Sequence, residues 1–188
     1  DTLSGLFNTQ RQAWIFTSAT LAVGEDFSHF TDRMGLGGAT SLTFPSPYAL
    51  EKNGMVWLPP GLPAPSERTH TGEMLENVLP LLDLTDGGLF CLFTSHRALN
   101  AARQWFKTRK SRLKGRPLLI QGDAPRDDLL RRFRDHGNAV LLGTGSFWEG
   151  VDVRGRALTI VAIDKLPFAS PADPLMMARL EFIRRQGG

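Results

Sequence analysis

The 188-residue chain is 41% hydrophobic and 22% charged with a formal net charge of +3, a balance that suits one ordinary folded domain with a connector and excludes disorder as the main state. Its single cysteine, Cys91, excludes an internal disulfide framework and any four-cysteine zinc or iron–sulfur site held by this chain alone, and points to a reducing, cytoplasmic home. Residues 1–94 hold 4 Lys/Arg against 10 Asp/Glu and residues 95–188 hold 18 against 9, so the halves carry −6 and +9, and no apolar stretch approaches the roughly 20 residues of a membrane span.

The chain opens on Asp1 without a basic, apolar leader and stops at Gly187–Gly188 straight after a helix-like run, so it reads as a piece of a longer polypeptide. Ala13–Phe16 is a short apolar run ending in Thr17–Thr20, the pattern of a buried strand that delivers small hydroxyl residues to its carboxyl end. From Gly35 to Pro65 the chain is rich in Gly, Pro and Ser, and its prolines, Pro45 and Pro47 among them, block long helices and central strands. This stretch reads as connector, with one strand at Met55–Leu58. The division expected is 1–44, holding the first strand and the connector, and 45–188, holding the main domain.

Beyond the connector, Met74, Leu75, Val78, Leu81 and Leu82 recur at helical spacing, Thr71 is a candidate cap, and Pro80 is where the helix should kink or end. Gly87–Gly88 precede a strand at Leu89–Phe93, and Leu99, Ala102, Trp105 and Phe106 mark a helix whose other face is basic. A strand at Pro117–Ile120 follows. Asp123–Pro125 open another helix, with Asp127 and Asp128 in its positive first turn and Leu129, Leu130 and Phe133 as its buried stripe. Strands at Ala139–Leu142 and Ala157–Ile163 complete the alternation. Repeated strand–helix–strand units with continuously apolar strands predict a doubly wound α/β domain, a mainly parallel sheet covered on both faces by helices.

In such sheets ligands bind beyond the carboxyl ends of the strands. The residues there are small and polar: Thr94–His96, Gln121–Asp123, Gly143–Ser146 and Asp164–Lys165. Backbone N–H groups at loop-to-helix junctions let a phosphate approach closely, although the same residue types are also ordinary turn and cap residues. Gly143–Gly155 is less ordinary. It joins glycines and aromatics to Glu149 and Asp152, carboxylates that can accept hydrogen bonds from a ribose while Thr144 holds a nucleic-acid phosphate. Phe147 and Trp148 either stack on bases or pack on the sheet, and His96 either donates to a nucleic acid or is a cap or surface residue. Arg103, Lys107, Arg109, Lys110, Arg112, Lys114 and Arg116 form the densest basic run, which reads as a solvated face, a DNA guide or a seat for an acidic partner. Cys91, inside an apolar strand, reads as core.

These residues resemble the DinG/YoaA branch of the XPD-like superfamily 2 DNA helicases over nearly the whole chain. Thr17–Leu21 (Thr-Ser-Ala-Thr-Leu) is similar to helicase motif III, Phe93–Ser95 to motif IV, Gln121–Gly122 to motif IVa and Gly143–Gly155 to motif V, and Leu166–Pro174 resembles the segment that follows motif V. The motif V match is the most specific of these; motif III is short and common.

The resemblance implies a RecA-like second motor domain of an ATP-dependent helicase that moves 5′ to 3′ on single-stranded DNA in replication and repair. By motif, Ser95, Gly122 and Thr144 would touch the DNA backbone, with His96 and Trp148 as further DNA-facing candidates, while Gly150 and Asp152 would face the nucleotide, with Glu149 as their neighbour. Ser18 and Thr20 would couple hydrolysis to movement between motor domains. The Gly-x-x-x-x-Gly-Lys-[Ser/Thr] phosphate loop and the Asp-Glu-x-His motif, which belong to a first motor domain, are absent from this sequence. ATP and Mg²⁺ would therefore be shared with that domain, a 4Fe-4S cluster would sit elsewhere in the parent protein, no metal is expected here, and the fragment alone should not hydrolyse ATP. The alternative is a protein-interaction module that binds the chi subunit of the DNA polymerase III clamp loader. An unrelated α/β enzyme fits poorly, because no triad, zinc ligand set or Rossmann fingerprint accompanies the sheet.

Overall fold

The computed structural model describes residues 13–168 and 173–185. The chain forms two compact units, Asp1–Trp57 and Leu58–Gly188. In the first, helix α1 (Ser28–Met34) closes on Gly35, whose φ of +66° puts it in the left-handed region that glycine adopts without strain, and α2 (Leu50–Asn53) is a single turn.

Two expected strands do not form. Ala13–Phe16 and Met55–Leu58 are irregular, with Ile15 85% and Val56 90% exposed. An apolar run becomes a strand only when a neighbouring strand takes up its N–H and C=O groups, and the described sheet lies entirely within residues 88–163.

The second unit follows the expected alternation. Helix α3 (His70–Val78) runs into a 3₁₀ turn at Leu79–Leu84, because Pro80 has no N–H to continue the α-helical ladder. Then come β1 (Gly88–Leu92), α4 (His96–Lys107), β2 (Leu118–Ile120), α5 (Arg126–His136), β3 (Val140–Gly143), β4 (Leu158–Ile163) and α6 (Pro174–Arg185). The four strands pair in parallel in the order β2-β3-β1-β4. The step from β1 to β2 and the step from β2 to β3 run in opposite directions along the sheet, so right-handed crossovers place α4 and α5 on opposite faces.

Packing agrees. Alternate strand residues Leu89, Cys91 and Phe93 join α3 and α4 in one core, through Leu75, Ala102 and Phe106. Phe90 and Leu92 join α5 in the other, through Leu129, Leu130 and Phe133, with the Phe90 and Phe133 rings edge to face at 4.6 Å. Cys91 is sealed in β1, where burial pushes its thiol up to about 12. This is the doubly wound α/β, RecA-like architecture, helices on both faces of a parallel sheet. Of the segment after motif V, residues 169–172 lie outside the described residues, as do residues 1–12 and 186–188.

Candidate functional site

The register pairs Leu92 with Gly143 and Ile120 with Leu142, so the loops leaving β1, β2 and β3 emerge at one edge of the sheet. The chain leaves β1 toward the face carrying α4. It leaves β3 toward the face carrying α5, because Phe147 in the β3–β4 connection belongs to the α5 core. Connections that depart to opposite faces from adjacent strands open a crevice between them, the position where doubly wound sheets bind ligands. Ser95 and Thr144 flank it.

Ser95 is half-buried and caps α4, its Oγ accepting from Ala98 N at 3.3 Å. The hydroxyl proton stays free to donate outward. His96, the first residue of α4, is exposed. Beside Ser95, the Thr94 Oγ1 atom is the one buried side-chain polar atom without a hydrogen-bond partner among the described residues. Gly122 is exposed at φ +97°, a conformation that glycine adopts without strain and residues with a Cβ do not. Arg103 shapes this turn by reaching the Gln121 carbonyl at 3.2 Å and the Asp123 carboxylate at 2.7 Å. Thr144 is buried, and Gln121 holds it: the Gln121 Oε1 accepts from Thr144 N at 2.6 Å and from its Oγ1 at 3.0 Å. The loops after β2 and β3 are therefore joined by a side-chain bridge between residues 23 positions apart.

The 145–152 loop is held from α5. Gly143 starts it, and a Cβ there would lie 2.8 Å from the Phe147 ring. Only glycine lets that ring tuck under the strand end. Trp148 is half-buried against the α5 core and donates its indole N–H to the Phe93 carbonyl at 3.3 Å. Glu149 and Gly150 are exposed, and their carbonyls, with that of Ser146, accept from Arg126 at 3.2, 2.8 and 2.8 Å. Asp152 is exposed. Its carbonyl accepts from Arg134 at 2.9 Å and its carboxylate pairs with Arg154 at 3.0 Å, beside an open groove of ≈ 390 Å³ lined by these residues and Ala157. Glu149, Gly150 and Asp152 thus share one loop. Ser18 and Thr20 belong to the first unit, where their hydroxyl oxygens lie 3.2 Å apart and both residues are exposed.

Asp164 follows β4. It is buried, and its Oδ1 accepts from Thr94 N at 3.0 Å and Lys165 N at 2.9 Å. Burial raises its pKa, opposed by those two hydrogen bonds and by the Lys165 and His70 charges. The His70 ring lies between two carbonyls, Pro63 on Nδ1 at 2.8 Å and Asp164 on Nε2 at 2.9 Å.

Most of the basic run is paired with acids or carbonyls of the same chain. Arg109 and Arg112 meet Glu76, Lys114 meets Asp83 at 2.7 Å, Arg103 meets Asp123, and Arg116 binds only carbonyls. A 4Fe-4S cluster needs four thiolates and this chain has one, enclosed in β1. These residues do not fit that group. Among the described residues no three His, Cys, Asp or Glu side chains converge as metal ligands, so no Mg²⁺ ligand set is assigned.

Residues 78–188 match the family model described as the helicase C-terminal domain. The chain is similar to the ATP-dependent DNA helicase YoaA of Escherichia coli K12, 41% identical over 94% of this chain and 27% of that protein. It is similar to YoaA of Haemophilus influenzae Rd, at 39% over 100% and 29%, and to the ATP-dependent helicase DinG of Mycobacterium tuberculosis H37Rv, at 35% over 95% and 27%. It thus spans between a quarter and a third of each relative's length. With a parallel sheet wound on both faces, motif loops at one edge, and this match over more than half of its residues, the chain belongs to the helicase C-terminal domain family, in its DinG/YoaA branch.

Proposed function

We propose that this chain is the second motor domain of an ATP-dependent DNA helicase that translocates 5′ to 3′ on single-stranded DNA in replication and repair. The observation that carries the reading is the bridge from Gln121 to Thr144, which joins the two loops read as DNA contacts beside the loop read as the nucleotide contact. Ser95, His96, Gly122, Thr144 and Trp148 face the strand in this reading. Small residues such as Ser95 and Gly122 at the sheet edge suit a sugar–phosphate backbone. Glu149, Gly150 and Asp152 face the nucleotide, where exposed backbone donors and a carboxylate suit ribose and phosphate oxygens.

A first motor domain of the same polypeptide would supply the phosphate loop and Mg²⁺ ligands, and ATP bound between the two would supply the energy of movement. Ser18 and Thr20 would relay hydrolysis to that movement. The division into a 1–44 connector and a 45–188 motor, the 4Fe-4S cluster of the parent protein, the chi-subunit contact and a cytoplasmic setting belong to the same reading. The chi contact is the weaker part, because the basic side chains that would receive an acidic partner are mostly paired within the fold.

The test is ATP turnover and unwinding by the full-length protein on duplexes with 5′ or 3′ single-stranded tails. Turnover should rise with single-stranded DNA, and only 5′-tailed duplexes should open. Asp152→Ala should slow turnover, and Thr144→Ala should weaken its stimulation by DNA more than its basal rate. Turnover indifferent to DNA, with wild-type rates in both variants, would remove the motor reading.

A further inference from the structure

We propose that Arg126 is the positioning residue of the 145–152 loop, setting which way its peptide groups face and so aiming the donors that meet the nucleotide. The inference rests on the reading that this loop is a nucleotide contact. Three observations carry it. First, one guanidinium gathers three carbonyls of one loop: Nε donates to Ser146 O, and Nη2 to both Glu149 O and Gly150 O. A planar fork spreads fixed donors from Nε to Nη2 across the loop, where the three donors of an ammonium radiate from a single atom. Second, the same guanidinium stands 5.8 Å over the Phe147 ring. The loop is thus gripped by its buried aromatic as well as by its backbone.

Third, in a trans peptide the C=O and the following N–H point in opposite directions. With the Glu149 and Gly150 carbonyls turned to Arg126, the amides of Gly150 and Val151 are turned away from it. Those two amides donate to no described residue. Gly150 supports the arrangement at φ +65°, and a Cβ there would meet Arg126 Nη2 at 3.7 Å. Position adds to the case. Arg126 opens α5, at the positive end of the helix dipole, where a cation is disfavoured. Its Nη1 lies 3.4 Å from the Asp127 carboxylate of the same first turn, while Nε and Nη2 are given to the loop.

The experiment compares full-length wild type with Arg126→Ala, Arg126→Lys and, as a control on the same helix, Arg131→Ala. Amide hydrogen exchange is read at Phe147 and Trp148, whose N–H groups bond to Thr144 O and Gly145 O, alongside KM for ATP, kcat and Tm. Both Arg126 variants should exchange faster at those amides than wild type. Both should raise KM for ATP by about tenfold to a hundredfold, the cost of displacing a positioned group. Lys should fail to rescue, and Arg131→Ala should match wild type.

Unchanged loop exchange overturns the proposal. So does a lowered Tm with KM unchanged in the folded protein, which would make Arg126 merely structural. If wild type itself turns over no ATP, the motor reading falls, and loop exchange alone then decides whether Arg126 holds the loop.

Discussion

A carboxylate 7% exposed at the end of β4 works against the fold at neutral pH, because burial disfavours its charged form. Two backbone donors, Thr94 N and Lys165 N, and the charges of Lys165 and His70 offset part of that cost, yet the net shift of Asp164 is upward. A raised carboxyl binds its proton more tightly in the folded chain than in the unfolded one. Stability therefore falls as pH rises from the ordinary carboxyl value, about 4, through the raised one. Asp164→Asn keeps an acceptor for both amides and removes the charge. Its Tm should exceed that of wild type at pH 7, with the gap closing as the pH is lowered below about 4; a lower Tm at pH 7 would mean that the ionic contacts outweigh burial. At this scale the sequence exposed the polar ends of the strands but not their partners. Ser95, Gly122 and Thr144 were legible because they follow apolar runs. The contacts that Gln121, Arg126 and Arg134 make were not, because each acts on a carbonyl or amide 18 or more residues away.

Elements were legible where the pattern carries the physics. Continuous apolar runs marked β1 to β4, and the helical stripes marked α3 to α5, since burial on one or both sides is what those periods record. The failures at Ala13–Phe16 and Met55–Leu58 follow from the same physics, because a strand needs a partner that its own sequence does not name. Arg126 left one readable trace, a cation in the first turn of α5, which costs about 0.3 to 1 kcal/mol unless something else holds it. Arg116 left none. It stood inside a basic run, yet it binds the carbonyls of Gly87, Asn138, Leu82 and Thr85 at 2.7, 3.1, 2.8 and 2.6 Å. It thereby ties the amino ends of β1 and β3 to its own strand and to the 3₁₀ turn. Arg116→Ala strips a charged donor from four acceptors, so urea unfolding should show a loss of about 2 kcal/mol with an unchanged m-value. Arg116→Lys should recover less than half, since a point charge cannot span the four.

At the scale of the whole molecule, the net charges of the two halves suggested a cationic surface for a polyanion, but charge counted along a sequence is not charge free in space. Among the described residues, Arg109 and Arg112 of the basic carboxyl-terminal half pair with Glu76 of the amino-terminal half, and Lys114 pairs with its Asp83. The asymmetry partly records these internal pairs. The distribution of burial is as uneven as that of charge. Among the described residues every buried side chain lies between His70 and Asp164, while Trp14, Ile15, Leu42, Phe44, Tyr48 and Val56 of the first unit are exposed. None of these side chains is a member of either core. A chain of residues 58–188 should therefore unfold cooperatively, with a Tm within about 2 °C of the 188-residue chain, a difference of under about 0.5 kcal/mol. It should also bind less of a hydrophobic dye such as ANS, because the exposed apolar residues leave with the deletion. A larger fall in Tm would mean that residues 1–57 support the sheet, and the two units would then have to be treated as one folding unit.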